Sequence, residues 1–73
     1  MRKLPRITSK KLIAAFLRAG FIVQRQRGSH VVLTHPDGHR VVVARHAGDI
    51  PTGTLNGIMK DLRYTVEELQ DIL

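Results

Sequence analysis

Seventy-three residues without a cysteine make one domain near the lower size limit for a self-sufficient core, with no disulfide or thiolate chemistry to draw on. The formal net charge of +6 is uneven: residues 1–48 carry ten Lys or Arg against the single acid Asp37 (+9), whereas residues 49–73 carry Lys60 and Arg63 against five acids (−3). No apolar run approaches the roughly 20 residues of a membrane span, and no apolar segment follows the basic start Met1 to Arg6, so a cytoplasmic protein is expected.

Taken in order, Thr8 or Ser9 can cap a first helix in which Leu12, Ile13, Phe16 and Leu17 form an apolar stripe. Gly20 ends it, with Arg18 in the last turn, where a cation suits the helix dipole. Lys10 and Lys11 occupy the first turn, where the dipole disfavours them, which suggests placement for a partner. Phe21-Ile22-Val23 opens a first strand that turns polar and basic at Gln24-Arg25-Gln26-Arg27. Beyond Gly28, two β-branched runs, Val31 to Thr34 and Arg40 to Val43, flank His35-Pro36-Asp37-Gly38-His39, a spacing that predicts an antiparallel hairpin. The alternation leaves open which face of the middle strand is buried: His30, Val32 and Thr34, or Ser29, Val31, Leu33 and His35.

A loop from Ala44 to Pro51 leads to a second helix with Leu55, Ile58, Met59 and Leu62 at helical spacing, Thr52 or Thr54 as its cap, and Gly57 inside it to allow a close contact. Thr65-Val66-Glu67-Glu68 reads as a capping box opening a short last helix, with Val66, Leu69, Ile72 and Leu73 on one side. The expected fold is therefore α+β: one domain over 1–73, ordered α-β-β-β-α with a short C-terminal helix. Both main helices should lie on one face of a three-stranded antiparallel sheet, because one-sided burial is how so small a chain makes a core. Leu12, Phe16, Phe21, Leu55, Ile58 and Leu62 should be buried.

The basic body suits a polyanion partner, although the same charge also keeps a small domain soluble. All four histidines, His30, His35, His39 and His46, fall on or beside the hairpin. Histidine exchanges protons near neutral pH, and RNA carries its own nucleophile in the 2′-OH. One imidazole and neighbouring cations therefore suffice for cleavage, and His30, close in sequence to Arg25 and Arg27, is the candidate. A metal site is not expected: His-x4-His-x3-His-x6-His, with Asp37 as the only nearby carboxylate, matches no zinc spacing. No cofactor is indicated. Gly28-Ser29-His30 lacks the Gly-x-Ser-x-Gly elbow of serine hydrolases, and Phe16, Phe21 and Tyr64 are too few for a base-stacking platform. Two other uses stay open at this level, a non-catalytic RNA-binding module and a protein-binding partner without an RNA role.

Gly20-Phe21, Gly28-Ser29-His30, Thr34-His35-Pro36-Asp37-Gly38, Val41-Val42-Val43, Arg45-His46-Ala47-Gly48 and Gly53-Thr54-Leu55 fall in the order found in HicA toxins. With the Thr-x-Glu-Glu-Leu ending, the chain resembles that family (YcfA-like mRNA interferases) over nearly its whole length. The resemblance implies a double-stranded-RNA-binding-domain-like fold and metal-independent mRNA cleavage as the toxin of a type II toxin–antitoxin pair. It also implies a HicB-type antitoxin partner, with assembly either with that antitoxin or with itself. The family's catalytic histidine falls on His30. Ser29 is then a candidate orienting group, and Lys10, Lys11, Arg25, Arg27 and Arg45 are candidate phosphate contacts. The chain departs from the family at Ala44, where proline is common, and at Asn56, where a basic residue is common; the second removes a potential phosphate contact.

Overall fold

The computed structural model describes residues 4–45 and 47–73. Met1, Arg2, Lys3 and His46 lie outside the described residues. The element order is α1 (Ser9–Arg18), β1 (Ile22–Arg27), β2 (His30–Thr34), β3 (Arg40–Ala44), α2 (Thr52–Leu62) and α3 (Val66–Ile72), with the strands forming one antiparallel sheet in the order β1-β2-β3.

Thr8 caps α1, its side chain accepting the Lys11 N–H. The helix buries Ser9, Leu12, Ile13 and Phe16, the i, i+3, i+4, i+7 face, and Ala15 beside it. Leu17, expected in the stripe, lies at its margin and is 46% exposed. The helix closes as a Schellman motif: Gly20 takes φ 102, its N–H bonds to the Leu17 carbonyl, and the Phe21 N–H bonds to the Phe16 carbonyl. The hydrophobic contact that accompanies this motif is Phe16 on Phe21, with ring centroids 5.0 Å apart.

The sheet is covered on one side. Val31 and Leu33 of β2 and Val41 and Val43 of β3 join Ile7, Leu12, Phe16, Phe21, Leu55, Ile58, Leu62 and Leu69 in a single core. All six residues expected in the core are there. This settles the face of the middle strand: Val31 and Leu33 point to the helices, and His30, Val32 and Thr34 to the other side. Val32 is nevertheless buried, flanked in the ladder by Arg25 and Val42.

Residue α2 starts at is Thr52, and Pro51, extended at ψ 140, precedes it as the cap, with no side-chain hydrogen bond. Neither Thr52 nor Thr54 caps it, because the fixed φ of Pro51 already turns the chain into the helix and Thr52 is itself helical. Leu55, Ile58, Met59 and Leu62 are buried as the spacing predicts. Gly57 makes no close contact: a Cβ there would meet nothing within 4 Å. The helix ends on Arg63 in the left-handed region, φ 57, where glycine is the usual choice. Thr65 and Glu68 form the expected capping box of α3, Leu69 is buried, and Leu73 is 42% exposed.

One histidine is a strut. The His35 ring packs edge-on against Phe21, centroids 5.0 Å apart. In its Nε2–H form it donates to the Ala19 carbonyl at the end of α1 (3.2 Å) and accepts the Asp37 N–H at Nδ1 (3.1 Å). The ring ties the β2–β3 turn to α1, and a Cβ at position 20 would come within 3.0 Å of it, a second reason for Gly20. In the turn, Asp37 accepts the His39 N–H (2.9 Å) and faces the His39 ring (2.8 Å). These contacts, the backbone N–H first, hold the Asp37 carboxyl below its ordinary value of 3.8. A carboxyl with a lowered folded-state value stabilises above that ordinary value, and the contribution is lost as pH falls below it.

His35 and His39 therefore differ, although both flank the turn. His35→Ala removes a half-buried hydrogen bond and a ring contact and should cost about 2 kcal/mol, read as a lower urea midpoint. His39→Ala keeps its backbone bond to Asp37 and should cost less than about 1 kcal/mol; equal losses would contradict the strut. Gly57 and Arg63 each hold a place that suits the other residue type. Gly57→Ala and Arg63→Gly should each raise stability by about 1 kcal/mol in the same measurement.

Candidate nucleic-acid interface

The uncovered side of the sheet is a grid of nine residues. The rows, read across β1, β2 and β3, are Arg27-His30-Ala44, Arg25-Val32-Val42 and Ile22-Thr34-Arg40. The grid depends on one irregularity. Val23 pairs with Leu33 on the core side, and strict alternation would put Arg25 and Arg27 there too. A bulge at Gln24 shifts the register, so that Arg25 meets Val32 and Arg27 meets His30. The extra residue turns both arginines out beside the histidine.

His30 follows a two-residue turn. Gly28 has φ 58 and Ser29 does not share that sign, the pattern of a type II′ hairpin with glycine at its first central position. On the other side, the Arg45 N–H bonds to the Ser29 carbonyl. This makes Ser29–Arg45 a hydrogen-bonded pair and His30–Ala44 a non-hydrogen-bonded one, the closer of the two spacings at about 4.5 Å between Cα atoms. The exposed His30 ring thus stands between a guanidinium on β1 and a methyl group on β3, which leaves room above Ala44. In such a pair the N–H of Ala44 points to the free edge, so a proline at this position would break no ladder bond.

The other expected site residues separate. Ser29 works through its carbonyl, and as a turn residue it does not share the strand face of His30. Arg45 and Lys10 line one shallow groove with Ser9 and Ile13, at the His30 end of the sheet. An isolated bridge from Thr8 to Asp49 and the Ile50 N–H to Ile7 carbonyl bond (2.8 Å) hold that loop against the segment leading into α1. Lys11 belongs to a different groove, with Arg6, Ala14, Arg18 and Leu73. Asn56 is exposed on α2.

Sequence reasoning missed Arg40 and Gln24. Arg40 reads as the first residue of a strand, and only the strand register puts it on the same face as His30. The bulge has no sequence signature beyond a run of polar residues in an edge strand. No strand residue is acidic, and Asp37 is the only acid before Asp49, so the grid presents three arginines and a histidine with no carboxylate among them. Such a face can neutralise phosphate and offer one imidazole for proton transfer.

A comparison with curated proteins finds no match. Residues 9–64, more than half of the chain, match the family described as HicA toxin of bacterial toxin-antitoxin. That span contains all three strands, both longer helices and every residue of the grid, and the chain belongs to the HicA toxin family.

Proposed function

We propose that this chain is a metal-independent endoribonuclease acting on mRNA, the toxin of a type II pair, with His30 as its general acid/base. The observation that supports this is the exposed His30 imidazole directly across from Arg27 on a carboxylate-free sheet face. Membership of a toxin family supports it independently. His30 takes the proton of the 2′-OH, O2′ attacks the adjacent phosphorus, and the bond to O5′ breaks. The leaving oxygen takes up a proton, which gives 2′,3′-cyclic phosphate and 5′-hydroxyl ends. Arg27, directly across from His30, neutralises the charge that builds on the phosphorane, and Arg25, Arg45 and Lys10 hold the strand beyond it. Lys11, on a separate groove, contributes only long-range attraction. Ser29 orients the histidine through the turn it helps to form. A HicB-type antitoxin would silence the enzyme by covering this face, and the pair would act in the cytoplasm. Among the described residues no helix is long and apolar enough to cross a membrane.

His30→Ala should lower cleavage of an mRNA by 10²–10⁴-fold, about 3–5.5 kcal/mol in the barrier, without unfolding the protein. His39→Ala should cut at the wild-type rate, and EDTA should leave cutting intact. A folded His30→Ala protein that still cuts would defeat the mechanism. A protein that binds RNA yet never cuts it would be a binding module instead. RNA affinity itself should fall with salt at a log–log slope of about −0.7 per phosphate contact, read by fluorescence anisotropy. A flat response would reduce the arginines to a solubility device.

A further inference from the structure

The far end of the open face has a groove that the chemistry of His30 does not use. Gln24, Arg25, Thr34 and Arg40 line it together with His35 and His39 of the turn. Guanidiniums approach from both edges of the sheet, Arg25 on β1 and Arg40 on β3, on either side of β2. Thr34 sits directly opposite Arg40 and puts a hydroxyl between them. The nearest acid in sequence, Asp37, is engaged by the N–H and ring of His39. Thr34 is four residues along β2 from His30, about 13 Å at 3.3 Å per residue, a distance that a few nucleotides span.

We propose that Arg40, with Arg25 and the Thr34 hydroxyl, forms a second phosphate subsite that anchors the RNA strand away from the bond being cut. The strand crosses the grid diagonally from Arg40 on β3, over the apolar floor of Val32, to Arg27 and His30. A guanidinium grips a phosphate through two parallel N–H donors, which a lysine cannot reproduce. The subsite rests on the ribonuclease reading for its role in turnover, and on geometry alone for its affinity. Because it holds a part of the substrate that does not react, it contributes equally to ground-state and transition-state binding. Its loss should therefore appear in KM and leave kcat unchanged.

The experiment compares wild type, Arg40→Ala, Arg40→Lys and Lys60→Ala on one single-stranded oligoribonucleotide, by steady-state cleavage and by anisotropy. Lys60 is exposed on α2 and controls for the loss of one positive charge. Arg40→Ala should raise KM and Kd about tenfold with kcat within twofold of wild type. Arg40→Lys should recover only part of that loss, and Lys60→Ala should match wild type. Unchanged KM and Kd in Arg40→Ala, or an equal loss in Lys60→Ala, overturns the subsite even where wild type cuts normally. Should wild type bind but never cut, while Arg40→Ala still loses tenfold in Kd, the nuclease reading falls and the subsite stands.

Discussion

Val31 and Leu33 of the central strand are pressed against the helices, and side chains on a strand alternate between faces, so that burial alone dictates where His30 points. Burying a Val or Leu side chain is worth about 1.5–3 kcal/mol each. A slip of one residue would expose both of them and carry an imidazole into the core. The register is therefore held by several kcal/mol of apolar burial that has no part in the chemistry. The edge strand needs a separate device to agree with it. Its bulge reverses the alternation after Val23, and the arginines arrive beside the histidine because of that single extra residue.

The two ends of the sheet are fastened by different means. At the His30 end, the Thr8–Asp49 bridge and the Ile50–Ile7 bond draw the loop after β3 towards the start of α1. At the other end, His35 reaches across to the last turn of α1 and lies on Phe21, itself stacked on Phe16. Both fastenings run to α1 on the covered side. The open face carries none of them, so its side chains stay available to a ligand.

Much of this arrangement can be read in the chain. The meander, the six core residues, the Thr8 cap, the Gly20 terminus and the Thr65–Glu68 box follow from periodicity and capping chemistry, which act over a few neighbouring residues. The face of the middle strand could not be read, because Val31, Val32 and Leu33 are all apolar and all buried, for different reasons. Pro51 displaced the two threonines as cap because backbone preorganisation outweighed a side-chain acceptor. Lys10 and Lys11 look equivalent in sequence, yet adjacent helix positions point about 100° apart and reach separate grooves. That Arg40 shares the face of His30 became visible only through long-range strand pairing. His35 looked like a mere turn flank because its partner carbonyl lies sixteen residues earlier in the chain.

The three-stranded sheet has two unpaired edges, and its open face carries apolar groups: Ile22 is 63% exposed and Val42 40%. Edges of that kind invite pairing with another chain, and charged side chains are a common guard against it. Arg25 and Arg27 sit on one edge strand and Arg40 on the other, interleaved with those apolar residues. Guanidiniums suited to a phosphate backbone thus also make two copies of this face repel each other. On the proposed function, a face left open for RNA is kept from aggregating by the same charges that would receive it.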